Sequence, residues 1–190
     1  MSTIIDEQVE ASTDDGIAST SPSYDAAYIK GYVGAISDFL YGSWYRFPGI
    51  SGLSGAAITV AYIELYYDFR LGTVLSTIYA DDQEAPGYPE DGDDYWTRGL
   101  TDASVDWDAI GTGTWVQSPS IVSIIQELAD SYDPSVIQII HKGRGTGTNY
   151  WSCDMWDGEP NRAPKLYIEY TVRQTKRGQM PIYLPGVAGE

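Results

Sequence analysis

The sequence predicts an all-β domain, a jelly-roll-like two-sheet β-sandwich with one short helix at about 119–131. Three observations carry that expectation. Apolar and polar residues alternate with period two over several separate stretches, the signature of strands with one buried face. The period switches to 3.6 after Pro119, where a helix is expected. The aromatic residues are 16 Tyr and 6 Trp against 3 Phe, a set favoured in strands and on half-buried sheet faces because each of these rings carries a polar handle. At 190 residues and 43% hydrophobic content, one domain can bury a core without disulfide or metal staples.

Residues 1–23 are rich in Ser, Thr, Asp and Glu with few large apolar side chains, and they read as a flexible N-terminal arm. The sandwich domain is expected over 24–172. Tyr28 to Val33 and Ser43 to Phe47 read as short strands, separated by turn-forming Gly34, Asp38 and Gly42. From Ala56 to Phe69 the alternation is strongest, with Ile63, Leu65, Tyr67 and Phe69 on one face and Tyr62, Glu64, Tyr66 and Asp68 on the other. Thr73 to Ala80 follows so closely that it reads as the hairpin partner of that strand. Asp81 to Gly99, broken by Pro86, Gly87, Pro89 and Gly92, reads as a long loop. Ser118 and Pro119 have the pattern of an N-cap followed by a first-turn proline, with Ile121, Val122, Ile125 and Leu128 at helical spacing behind them. Val136 to Lys142 and Asn149 to Met155 read as strands joined by a glycine-rich hairpin turn at 143–147. The last strand alternates Leu166, Ile168, Tyr170 and Val172 with Lys165, Tyr167, Glu169 and Thr171. Residues 173–190 form a C-terminal arm.

A formal charge of -16 and a pI near 4.1 set the chain against phosphate backbones and anionic lipid, so neither direct nucleic-acid binding nor membrane binding is expected. No stretch reaches the length of a membrane span. The segment Met1 to Glu7 has no basic or apolar region of a signal peptide, and synthesis in the cytosol is expected. Asn149 and Asn161 both lie outside glycan-acceptor sequences. The lone Cys153 cannot form an internal disulfide and reads as a structural thiol. His141 is the sole histidine, which leaves a Ser–His or Cys–His machine one base to draw on. It reads as a sheet histidine, and no catalytic residue and no required cofactor are expected. The run Gly143-Arg144-Gly145-Thr146-Gly147 lacks the lysine and following helix of a phosphate loop.

Two clusters are candidates for ligands. Ten acids lie between Asp81 and Asp108; solvated loop charge explains most of them, and calcium, which takes six to eight oxygens from irregular loops, makes Asp91, Asp93 and Asp94 candidate ligands. Trp96, Trp151 and Trp156 with Tyr95 are candidates for a glycan-stacking platform, against the competing use of such rings in core packing. The C-terminal arm is a candidate assembly element. Arg173, Lys176 and Arg177 gather three of the 11 basic residues, and Ile182, Tyr183 and Leu184 follow in a proline-rich apolar run. Such an arm would steer and anchor on an acidic, aromatic partner such as a second copy of the chain, giving a homo-oligomer.

Several segments recur in one order: Tyr45-Arg46-Phe47, Ala56 to Leu65, Val105-Asp106-Trp107, Trp115, Ser118-Pro119-Ser120-Ile121, and Ala163-Pro164-Lys165-Leu166-Tyr167-Ile168-Glu169-Tyr170. Over residues 14–172 this order resembles the DNRLRE-like, carbohydrate-binding-module-like jelly rolls of phage and environmental virion proteins and bacterial surface proteins. The resemblance implies the fold and a binding role, and it transfers no catalytic residue. The expected function is a non-enzymatic virion structural protein. It would be a phage capsid decoration, tail or fibre protein, carried in the virion after synthesis in the host cytoplasm, with other virion proteins and copies of itself as partners. The alternative is a carbohydrate-binding module for host-receptor or surface-glycan recognition.

Overall fold

The structure, a computed structural model, describes residues 2–21, 24–108 and 110–172. In chain order the elements are β1 Thr3–Gln8, β2 Asp15–Ser19, β3 Tyr24–Asp25, β4 Lys30–Ile36, β5 Phe39–Pro48, β6 Ala57–Leu71 and β7 Leu75–Ala80. There follow α1 Gly92–Thr97, β8 Val105–Asp106, β9 Trp115–Gln117, α2 Val122–Ser131, β10 Val136–Arg144, β11 Asn149–Asp154 and β12 Lys165–Thr171. Hydrogen bonds follow the path β1-β12-β6-β11-β4-β5-β10-β7-β8, with β2 beside β5 and β9 beside β6.

That path folds over on itself, so that β12, β6 and β11 face β5, β10 and β7. Between them lies the main core, Ile63, Leu65, Trp151, Leu166 and Ile168 from one layer against Tyr45, Phe47, Ile78, Ile137 and Ile139 from the other. This is a jelly-roll-like two-sheet sandwich. Trp107 ties the layers together, stacked on His141 of β10 at 5.4 Å and 6.3 Å from Trp151 of β11. Helix α2 adds Ile124, Ile125 and Leu128 to the same core. Its Gln126 accepts from the Ile58 N–H and donates to the Ala56 carbonyl, which fixes the helix on the start of β6. On the other side of β5 and β10, Trp44, Ala18 and Ile140 form a smaller cluster that α1 covers with Tyr95.

The N-terminal segment is not an arm. β1 runs antiparallel to β12 from Thr3 opposite Tyr170 to Gln8 opposite Lys165, and β2 is buried along its whole length against β5. Its charges have partners there: Arg46 donates to Asp14 at 2.6 Å, and the Trp156 N–H donates to Asp15 at 2.9 Å. The folded unit therefore begins at β1 rather than at residue 24.

Four local expectations are also corrected. β7 pairs with β10 and β8 rather than with β6, because the chain crosses between layers at Gly72, whose φ of 68° suits glycine, and at fully buried Val74. The glycine run after β10 likewise crosses layers, since β10 pairs with β5 and β7 while β11 pairs with β4 and β6. The loop 81–99 contains α1, whose N-cap Asp91 accepts from the Asp94 N–H. Ser118 is not a cap: its Oγ accepts from the Ile63 N–H, anchoring the segment to β6, and α2 begins at Val122.

Candidate functional site

One irregularity in β6 brings Phe69 out to a partly exposed aromatic surface. Cys153 pairs with Tyr67, but the preceding residue of β11, Ser152, pairs with Phe69, leaving Asp68 as an extra residue in a β-bulge. Without it Phe69 would follow Tyr67 into the core. With it, Asp68 and Phe69 both lie on the outer face, and Phe69 is 45% exposed. In β11 the residues alternate so that Trp151 and Cys153 are buried in the core while Tyr150 lies on the opposite face. β4 brings Lys30 and Tyr32 to that same outer face, opposite Asp154 and Ser152.

The result is a connected group of rings. Tyr32 is its hub, 5.9 Å from Tyr28, 6.2 Å from Tyr41 and 5.7 Å from Tyr150. Phe69 extends it, 5.7 Å from Tyr150. Tyr28 is 37% exposed, and Tyr32, Tyr41 and Tyr150 are half-buried. A polar group adjoins the rings: Lys30 donates to Asp154 and, at 2.9 Å, to Asp68, while the Ser152 hydroxyl donates to the other Asp68 oxygen at 3.0 Å. Partial burial, with the neighbouring Tyr28 and Tyr150 and the Asp68 charge, raises the Tyr32 phenol above its ordinary value, so at neutral pH its hydroxyl keeps the proton and can donate it.

A second aromatic cluster, on β6, β9 and β12, is half-buried and engaged in contacts of its own. Tyr62 and Tyr167 stack face to face at 5.0 Å. Arg162 lies 4.4 Å over Tyr66, and Lys165 lies 4.1 Å over Trp115.

The residues singled out by sequence are scattered. Trp151 and Tyr95 are fully buried and cannot stack on a sugar. Trp151 donates its Nε1–H to the Gly111 carbonyl, and Tyr95 donates its hydroxyl to the His141 carbonyl. Trp156 packs partly against the main core. Trp96 is half-buried at a groove of about 460 Å³ lined also by Ser19, Thr20, Ser21, Asp91, Gly92 and Asp93, with Lys142 lying 5.3 Å over its ring. Among the described residues no three acidic, histidine or cysteine side chains are grouped to hold a metal ion. Asp91 caps α1, Asp94 pairs with Arg98, and Asp93 is exposed. Arg173, Lys176, Arg177, Ile182, Tyr183 and Leu184 lie outside the described residues. Sequence reasoning missed Tyr32, Tyr41, Tyr150 and Phe69. One signal was present, because Trp151, Cys153 and Met155 alternate with Tyr150, Ser152 and Asp154, which places the tryptophan inside and the tyrosine out. Trp151→Ala should therefore act on stability, costing about 3–5 kcal/mol in thermal or denaturant unfolding; a variant that melts like the parent would contradict that placement.

No protein-family model and no curated protein matches the chain. Among solved structures, TmCBM61, solved in complex with β-1,4-galactotriose, is similar in fold. It has a TM-score of 0.38 and 10% identity over 81% of this chain and 86% of that one. A likeness of this degree carries no ligand from that protein to this chain.

Proposed function

We propose that the chain is a non-catalytic glycan-binding module that holds sugar rings on the outer face of β4, β11 and β6. The carrying observation is the set of rings Tyr28, Tyr32, Tyr41, Tyr150 and Phe69, left partly open to water beside Asp68 and Lys30. A sugar ring presents an apolar C–H face and a rim of hydroxyls, so it needs aromatic contact together with a few fixed hydrogen-bonding groups. Both are present on this face. Groups whose titration is shifted far, Asp15, Tyr45, Tyr95, His141 and Cys153, are instead sealed in the interior. Burial holds His141 down at about 3, so it stays neutral, with Ser76 at 2.9 Å. Those shifts belong to packing, and the accessible face is arranged for binding.

Tyr32→Ala and Tyr150→Ala should each weaken retention in polysaccharide-loaded native gels about tenfold, about 1.4 kcal/mol. Tyr150→Ala should move the melting temperature little, because that ring is half-exposed, whereas Tyr32 also packs against the main core and its loss should lower the melting temperature without unfolding the domain. Full retention by both folded variants would remove this face as the site. A place in a virus particle is the further step of this reading, and it draws on the acidic charge and on residues 173–190. Deleting 174–190 should change assembly state or attachment to the particle; a truncated chain that assembles and attaches as before would withdraw that step.

A further inference from the structure

The glycan-binding reading leaves open what form of glycan the face accepts, and its geometry narrows the choice. We infer that the ligand is a single, uncharged, soluble polysaccharide chain lying across the strands and gripped along its length, an inference that rests on the reading above. Tyr41, Tyr32, Tyr150 and Phe69 come one each from β5, β4, β11 and β6, which are neighbours in that order. Four strands about 4.8 Å apart span about 14 Å, the length of a short oligosaccharide rather than of one sugar. Gly34 sits in register between Tyr41 and Tyr150. Its φ of 124° and the Asn149 carbonyl that a Cβ would meet keep a side chain out of the row.

The rings are not coplanar. Successive planes are turned by 47° between Tyr28 and Tyr32, 70° between Tyr32 and Tyr41, 62° between Tyr32 and Tyr150, and 41° between Tyr150 and Phe69. A flat crystalline surface can lie on ring faces that share a plane, and here it would meet one face at a time. A free chain rotates from one unit to the next and can follow turned rings. Exposed Leu71 and Phe69 lie at one end and exposed Phe39 at the other, so among the described residues both ends of the row are apolar and open. The charges balance locally: Lys30 is held between Asp68 and Asp154, and Arg162 also reaches Asp154. Among the described residues of this face no cation is left over for a carboxylate or sulfate, and a protein of charge -16 repels polyanions at longer range.

The test uses the full chain in native gels loaded with soluble neutral polysaccharides (glucans, mannans, xylans and galactans) or with alginate, a polyanion, and in pull-downs on microcrystalline cellulose. A neutral polymer that retards the protein should be followed by calorimetry with its own oligosaccharides. Expected are retardation by at least one neutral polymer, at least about tenfold weaker binding of alginate, and no saturable binding to the crystalline solid. Affinity should climb from the monosaccharide through short oligosaccharides and then level off. Saturable binding to microcrystalline cellulose, a preference for alginate, or a monosaccharide bound as tightly as its polymer would overturn this inference while the glycan-binding reading stands. Binding of a neutral chain that survives in Tyr32→Ala and Tyr150→Ala would overturn the site itself. Failure to bind any neutral polymer would overturn both.

Discussion

Replacing Arg98 with alanine is expected to destabilise the domain by about 3–5 kcal/mol, because it leaves a carboxylate buried without its cation. Arg98 donates to Asp81 at 2.6 Å, to Asp94 at 2.7 Å and to the Gly87 carbonyl at 2.6 Å. Asp81 is fully buried at the end of the β7 strand, where Gln83 and Gln138 also donate to it. Burial raises the Asp81 carboxyl above the usual range, and the Arg98 guanidinium opposes that rise. The same arginine closes the 81–98 segment over β5 and β10, so its loss should also loosen α1. In a domain of this size the cost corresponds to a fall in melting temperature on the order of 10 °C. Asp94, the more exposed partner, is the control: Asp94→Ala should cost at most about 1 kcal/mol. An Arg98→Ala variant that unfolds within 1 °C of the parent would show that the knot contributes nothing.

The parts of the fold legible in the sequence are those whose pattern is local. β6 and β12 alternate cleanly because one face of each lies on the core, and α2 shows its apolar stripe because the opposite face meets water. β1 and β2 were not legible, since what makes a polar stretch a strand is its partner, and for Thr3 that partner is Tyr170. The six residues of α1 hold too few turns to show a period, although Asp91 three residues before Asp94 is the spacing of a side-chain cap. The candidate site was the least legible. Its rings come from four strands and from Tyr28 just before β4, and their adjacency depends on the register and on the single extra residue at Asp68. Large tryptophans drew the sequence reading toward Trp151, yet size favours the core as strongly as it favours a platform.

A shared arrangement underlies the stability of the molecule and its proposed binding face. β11 turns Trp151 and Cys153 inward, where they hold the two layers together, and Tyr150, Ser152 and Asp154 outward, where they form part of the face. The rings of that face are thus fixed by a strand that cannot shift without disturbing the core. Binding to it should need little reorganisation, which favours affinity at a small entropic cost.

The second large effect concerns Asp15, a carboxylic acid buried at the start of β2. Burial pushes its pKa up to about 7; the Trp156 N–H on one oxygen counteracts this, and the charges of Asp157 and Asp14 reinforce it. The other oxygen, Oδ1, has no hydrogen-bond partner among the described residues. Below the unfolded value of 3.8 the acid is protonated in both states and contributes no pH dependence. Between 3.8 and about 7 the folded state holds a proton that the unfolded state has released, so stability falls as pH rises. Above 7 the folded protein carries the bare carboxylate, and a difference of about three pH units corresponds to a cost of about 4 kcal/mol. Asp15→Asn keeps an oxygen for the Trp156 N–H and removes the charge. The variant should therefore match the parent near pH 3.5 and exceed its stability by up to about 4 kcal/mol at pH 8. Comparing the two proteins at each pH cancels the general repulsion of a chain of charge -16. A difference in unfolding free energy that stays constant from pH 3.5 to pH 8 would show that Asp15 does not titrate in the folded protein as its burial requires.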